Sequence, residues 1–410
     1  MAIASADNST TEVVQNKSVF DAWQSVAIAI YMALAGYGVM VGIPVISTAW
    51  VDLLGFSEVQ VGRVAGADLG GFSAGAVLAS LLVARMDRRL LVLLAATVAM
   101  AANGLCMVML SYTETLWLRV IAGFGSGAYT AVAIATLAGN AKPARAFNIL
   151  LFSFAFSQGG ALWLLPQLSM NGIYAFFIGT YACSLLFLRW LPARPVARRL
   201  DVEIDTKAAT GQHALSHIKV PMSVPWLVLG AVLLTYVNIG AYWTYIELAS
   251  AESAADADWV SKLLVYTSVF SVIGCACATL ISNRFGLARP LLVTLIAQGI
   301  LVGMLAAGIN NINVMISMFA FNFCWIFVDV YQSATIANVD HSGRFAALLP
   351  GAQGLGQIIG PNLAASLLAV GSGYSSIFVM CAAASLLAFA VYLFMYLRLR
   401  RTIPALADAS

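Results

Sequence analysis

Residues 119–127 read Arg119-Val120-Ile121-Ala122-Gly123-Phe124-Gly125-Ser126-Gly127. Three glycines at alternate positions invite a reading as a phosphate-binding turn, but that turn needs a strand before it and a helix opening after it. Here they stand inside an unbroken apolar run, Thr115–Ala138, long enough to cross a bilayer as one helix. No Walker sequence occurs elsewhere, so ATP is not the expected energy source. Read as a helix, the stretch sets Gly123, Gly127, Ala131 and Ala135 on one ridge at intervals of four. An earlier run does the same with Gly62, Gly66 and Gly70. Such ridges let backbones approach closely where lipid removes the hydrophobic drive to associate. They suit static packing and also permit one helix to rock on another.

The whole chain has the same character. Of its 410 residues 61% are apolar and 10% charged, against about 45–50% and roughly 25% in a soluble domain. Twenty-one basic and 18 acidic side chains cannot clothe a water-soluble fold of this size. Twelve spans of about 20 residues would use about 240 positions and leave only short loops. A soluble enzyme, a nucleic-acid binder and a secreted disulfide scaffold are excluded. The six cysteines, Cys106, Cys183, Cys275, Cys277, Cys324 and Cys381, lie in apolar stretches without paired loop spacing, so no disulfide framework is implied. The first 20 residues are polar, and no cleavable signal is expected.

Apolar runs between breaks predict twelve helices. They are Trp23–Trp50, Glu58–Ala84, Leu90–Ser111, Thr115–Ala138, Arg145–Ser169, Gly172–Leu191, Val224–Ala249, Trp259–Ser282, Arg289–Ala307, Ile312–Ala337, Phe345–Val370 and Gly373–Leu397. The expected organisation is an N-terminal segment 1–22, a six-helix bundle 23–191, a polar linker 192–223, a second six-helix bundle 224–397 and a tail 398–410. Eighteen of the 21 basic residues fall on one side, among them Lys17, Arg85, Arg88, Arg89, Lys142, Arg145, Arg284, Arg289, Arg344 and the linker set Arg194, Arg198, Arg199, Lys207 and Lys219. Asp52, Glu58, Glu114, Glu247, Glu252, Asp256 and Asp258 fall on the other. The positive-inside rule then puts both termini and the linker in the cytoplasm, with the chain in the inner membrane.

The halves echo each other. In Met86-Asp87-Arg88-Arg89, Asp87-Arg88 has a counterpart 196 positions on in Asn283-Arg284, which opens Asn283-Arg284-Phe285-Gly286, and Ala144-Arg145-Ala146-Phe147 has one 199 positions on, at Gly343-Arg344-Phe345-Ala346. Gln158 lands on Gln357 at the second offset. Parallel six-helix repeats are a transporter architecture. Arg119-Val-Ile-Ala-Gly123-Phe-Gly125 resembles the Arg-x-x-x-Gly-x-Gly motif of the major facilitator superfamily. Arg85-Met-Asp87-Arg88-Arg89 resembles a copy of its 2–3 loop signature without the flanking glycines. Gly356-Gln-Ile-Ile-Gly360-Pro361 resembles its Gly-Pro motif, placed in helix 11 rather than helix 5. The resemblance implies an all-α membrane protein, twelve transmembrane helices in two pseudo-symmetric halves. It also implies that Asp87, Arg88 and Arg89 act as a cytoplasmic latch reaching across the halves; a topology-setting charge cluster is the alternative.

Ionisable groups inside a bilayer are costly and are functional candidates. Asp68 lies about 15 Å into helix 2 at 1.5 Å per residue. Asp329 lies well inside helix 10, where Asn322, Trp325, Asp329 and Gln332 follow helical spacing. Both acids are candidate proton carriers, or else neutral or ion-paired groups that lock helices together. Arg119 either snorkels to the interface or is buried against an acid, with Asp68 its natural partner. The pocket candidates are Tyr31, Tyr129, Gln158, Trp163, Asn238, Tyr242, Asn322 and Trp325, aromatics and amides that suit a small amphipathic or aromatic solute. For Trp163, Tyr242 and Trp325 core packing competes evenly. Trp23, Trp50, Trp117, Trp190 and Trp226 suit the membrane interface. His213 and His217, four apart in the linker, lack a third ligand, so neither a metal nor another cofactor is expected.

The reading that results is a secondary transporter, expected to act as a monomer, moving a small organic solute by alternating access with proton coupling. Uptake of an organic or aromatic acid leads. Efflux of amphipathic, drug-like compounds is the alternative, although helix 1 carries no acid between Gln24 and Ala49. A membrane enzyme would cluster His, Asp or Glu at one face; a sensor or scaffold would show no flux.

Overall fold

The computed structural model describes residues 19–83, 85–140, 143–193, 223–281, 284–339, 345 and 348–402. Most of the expected N-terminal segment, linker and tail lie outside the described residues, and with them Lys17, Lys142, Arg194, Arg198, Arg199, Lys207, Lys219, Arg344, His213 and His217. Among the described residues the chain folds as twelve helical stretches. These are α1 (Trp23–Leu54), α2 (Glu58–Leu82), α3 (Arg88–Cys106), α4 (Tyr112–Ala138), α5 (Pro143–Leu164) and α6 (Met170–Leu186), then α7 (Ser223–Ala251), α8 (Ala257–Ile281), α9 (Ala288–Gly303), α10 (Asn311–Val339), α11 (Leu349–Ala369) and α12 (Gly373–Thr402). Ten stretches are long and apolar enough to cross a bilayer, and α6 is a shorter apolar helix.

Local chemistry sets the ends. Ser57 with Gln60 and Ser111 with Glu114 form reciprocal capping boxes at the starts of α2 and α4. The Asp87 carboxylate accepts from the Arg89 and Leu90 backbone N–H groups and caps α3. Gly55, at φ 69°, closes α1 in the left-handed conformation that spares glycine a Cβ clash. Within α1 the helix is interrupted at Tyr37, between Gly36 and Gly38.

Two kinds of glycine seam organise the bundle. Inside the first half, α2 and α4 touch backbone to backbone: a Cβ on Gly71 or Gly75 would strike Val120 or Phe124, and one on Gly123 or Gly127 would strike the Asp68 or Phe72 carbonyl. Gly356 and Gly360 of α11 make the equivalent approach to Leu233 and Val237 of α7. Between the halves, Gly62, Gly66 and Gly70 of α2 lie on Pro361, Asn362 and Ile358 of α11, and Gly159 of α5 lies beside Ser268 of α8. The halves therefore meet along α2–α11, α5–α8 and α1–α7.

One end of the bundle, here the basic face, carries Arg85, Arg88, Arg89, Arg189, Arg284 and Arg289. The other, the acidic face, carries Asp52, Glu58, Glu114, Glu252, Asp256 and Asp258. Outward surfaces between them expose Leu81, Phe156, Leu280 and Val293. Such a surface is stable only in lipid.

Candidate functional site

Asp68 and Arg119 are partners. Arg119 Nη2 and Nε lie 2.5 and 2.9 Å from Asp68 Oδ2, and Nη1 donates to Asn103 Oδ1 at 2.8 Å. Asn103 in turn donates to the Ala99 carbonyl at 2.8 Å, and the Tyr174 ring stands 6.0 Å from the guanidinium. Asp68, Asn103 and Arg119 are all buried. The guanidinium thus turns inward rather than snorkelling. Gly123 makes room for the acid, since a Cβ there would sit 2.7 Å from Asp68 Oδ1. All four contributing helices, α2, α3, α4 and α6, belong to one half. Desolvation of two charges is offset here by a fork of charge-assisted hydrogen bonds, and loss of either partner would strand the other.

Asp329 of α10 is a different kind of acid. Its Oδ1 accepts from Tyr236 Oη of α7 at 2.8 Å and from Gln353 Nε2 of α11 at 2.7 Å. Its Oδ2 has no hydrogen bond, and no basic side chain pairs with it, among the described residues. The residue is half-buried. Tyr37, at the break in α1, lies within electrostatic range and packs on Phe72 and Phe154 at centroid distances of 5.6 and 5.9 Å. One turn towards the acidic face stands Trp325, 5.9 Å from Trp243 and 6.5 Å from Phe321. Trp243 Nε1 donates across the halves to the Val41 carbonyl at 3.3 Å, and Gln357 Nε2 reaches Met40 Sδ at 3.5 Å. Gln332 of the same helical face donates to Thr235 Oγ1 at 2.8 Å. One carboxyl group, aromatic rings and amides from α1, α7, α10 and α11 thus meet at the middle of the molecule.

The other pocket candidates scatter. Asn238 is fully buried with neither side-chain polar atom hydrogen-bonded, and Gln158 is buried with its Oε1 unpartnered. Asn322 donates to the Met318 carbonyl at 2.9 Å and accepts from Ser271 at 3.5 Å. Tyr31 donates to the Thr180 carbonyl at 3.0 Å and Tyr129 packs on Tyr181, so both face α6 inside the first half. Tyr242 bonds Ser317 and stacks on Phe321 inside the second half. Trp163 is 61% exposed on the outer surface. These four are displaced from the central position because aromatic residues also fill helix–helix and lipid-facing surfaces. Trp50 likewise departs from the interface reading: it is fully buried, its indole donating to Tyr174 Oη at 3.2 Å.

Among the described residues the expected latch makes no contact across the halves. Asp87 caps its own helix. Arg88 reaches Thr136 and lies over Phe20, and Arg89 donates to the Leu191 and Arg189 carbonyls at 2.7 and 2.8 Å. Every one of these contacts stays in the first half, where short connections bring the ends of α4 and α6 beside α3. Sequence reasoning passed over Asn103, Tyr236, Trp243 and Gln353. Asn103 was findable as the one amide in its apolar run; Tyr236 and Trp243 carry no signal that separates them from core aromatics.

Two helical halves around a central aromatic seam with a lone carboxyl group define a multi-pass membrane transporter. The profile of the Major Facilitator Superfamily matches residues 28–361, and the chain belongs to that family. Its members are transporters rather than enzymes. The fold is similar to that of a variant of nucleoside transporter NupG, at TM-score 0.71 and 14% identity over 92% of this chain and 100% of that one. A D-xylose-proton symporter gives TM-score 0.68 and 16% identity over 91% and 96%. The xylose transporter XylE from E. coli, in an inward-open conformation, gives TM-score 0.68 and 16% identity over 90% and 94%. A search of curated protein sequences gives no match.

Proposed function

We propose that this chain is a proton-coupled secondary transporter in which Asp329 binds and releases the coupling proton. The carrying observation is the contrast between the two interior acids. Asp68 is neutralised by Arg119 and sealed within one half, whereas Asp329 has one oxygen held by neutral donors, one oxygen free, and partial access. A carboxyl group that a proton can reach and that no cation already neutralises has the chemistry of a carrier. The halves 23–191 and 224–397 are the rocking units, and the basic face with both termini lies in the cytoplasm of an inner-membrane protein. Asp68 and Arg119 keep the first half rigid.

For the substrate, the geometry favours the amphipathic, drug-like reading over the organic acid. An anion needs a cation to receive it, and the arginines within the spans are engaged elsewhere: Arg119 by Asp68 and Asn103, Arg63 by Asn362 and Ser366. An aromatic solute that is uncharged or cationic matches Trp325, Trp243 and Tyr37 beside Asp329, with Asn238, Asn322 and Gln158 as polar contacts. Proton and cation competing for one carboxyl group give exchange, hence efflux. A thermal-shift screen with aromatic amines and aromatic carboxylates tests this. The amines are expected to raise the melting temperature; stabilisation by the carboxylates alone would restore the organic-acid reading.

A further inference from the structure

One short stretch of α11 joins Asp329 to the seam between the halves. Gln353 donates through Nε2 to Asp329 Oδ1 at 2.7 Å, the oxygen that also accepts from Tyr236 Oη at 2.8 Å. The next residue, Gly354, lies on α2 of the other half, where a Cβ would strike Ser73 Oγ. Gly356 packs on α7, where a Cβ would strike the Leu233 carbonyl and the Tyr236 side chain. Within one helical turn, α11 thus meets α10 through a hydrogen bond and α2 and α7 through close approach. The Ser73 hydroxyl donates to the Leu69 carbonyl of its own helix at 2.9 Å, so its contact with Gly354 is steric. The described hydrogen bonds between α2 and α11 lie farther along, from Arg63 to Asn362 and Ser366. Gly354 stands between Gln353 and Leu355, so α2 can approach at this level only while α11 keeps its present rotation about its own axis.

A donor facing a carboxylate makes a charge-assisted bond, roughly twice as strong as the same bond to a neutral acceptor. A proton added at the free Oδ2 leaves Oδ1 as the carbonyl oxygen of a neutral acid, and the Gln353 bond weakens. The titratable groups facing Asp329 are Tyr236 of α7 and Tyr37 of α1; among the described residues neither a cation nor a second acid joins them. We propose that Gln353 is the positioning residue through which the charge on Asp329 governs the seating of α11 against α2. Ionised, Asp329 holds Gln353 and fixes the rotation that presents Gly354 to Ser73. Protonated, it loosens Gln353, and rotation of α11 then sets a side chain against α2 and parts the two helices. The inference rests on Asp329 being the proton carrier and adds how the seam between the halves responds to the carrier's state.

The test is the rate at which a small maleimide alkylates Ser73→Cys, measured at one fixed pH of about 8. Cys183, Cys275 and Cys277, the cysteines that are not buried, are first changed to Ala. Asp329→Asn, a neutral stand-in for the protonated acid, is expected to raise the rate about tenfold over the parent. Gln353→Met keeps the side-chain length, removes the donor and should raise the rate by a similar factor. The two together should exceed neither alone, because both act on one bond. Gln353→Lys supplies a charged donor, so labelling should return to the parent rate. Proton-driven accumulation should still be lost in that variant, because Asp329 is then paired as Asp68 is. Parental labelling in Asp329→Asn or Gln353→Met, additive effects in the double variant, or fast labelling in Gln353→Lys would each overturn the proposal. The carrier reading fails separately, on proton-driven accumulation that survives Asp329→Asn.

Discussion

Asp68 and Asp329 show how one residue type takes different roles by its partners. The ion pair was legible as a possibility because an acid and a base stood in neighbouring apolar runs; that they touch, and that Asn103 is the third member, was not. Removing one charge of a buried pair typically costs about 3–5 kcal/mol, while replacing both with apolar groups of similar volume is close to neutral. Arg119→Ala is therefore expected to lower the melting temperature in detergent and the yield of folded protein. Asp68→Leu combined with Arg119→Met should recover most of both. If the double variant is no more stable than the single one, the pair has a role beyond mutual neutralisation. The facing of Tyr31, Tyr129 and Tyr242 could not be read from sequence for a physical reason. Their helices are apolar all round, so periodicity does not separate the central seam from the interior of each half.

At the scale of the helix, glycine marks where two backbones share space. The sequence showed ridges in α2 and α4 but not which neighbour each meets. In fact α2 has two: Gly71 and Gly75 pack on α4, while Gly62, Gly66 and Gly70 face α11 across the halves. Gly127→Val would drive a side chain into the Phe72 carbonyl and is expected to abolish folded, monodisperse protein in size-exclusion chromatography. Gly160→Ala has open space around its Cβ and removes a flexible residue from a helix, so it should leave the profile unchanged or improve it by about 0.5–1 kcal/mol. Equal damage from both would contradict the close-approach account. Helix ends in the structure differ from the expected ones by a few residues, as at α3 and α6, because capping side chains such as Asp87 and Ser169 set them rather than the limits of apolar runs.

Across the whole molecule, the described side-chain hydrogen bonds between halves lie from the middle of the bundle to the acidic face: Gln357 to Met40, Trp243 to Val41, Tyr245 to Glu58, and Arg63 to Asn362 and Ser366. Arg63 holds three of these bonds. Arg63→Ala is expected to weaken this closure and to lengthen the distance between labels on the acidic-face loops, with little loss of overall stability because each half keeps its own core. No change in that distance would mean that the glycine seam and the Trp243 and Tyr245 bonds hold this face without Arg63. The twofold division was legible from the repeated loop motifs and the small-residue ridges. Which residues pair across the halves was not, since those pairings join residues 187 to 317 positions apart.

The proposed proton coupling requires a group that protons and substrate can both reach, and Asp329 is the proposed group. The direct measurement is flux in proteoliposomes with and without an imposed pH gradient, for the parent chain and Asp329→Asn. The parent should accumulate substrate against its gradient when protons run downhill, and Asp329→Asn should lose that accumulation, retaining exchange of labelled for unlabelled substrate only where the substrate is uncharged. Undiminished proton-driven accumulation by Asp329→Asn would contradict the account.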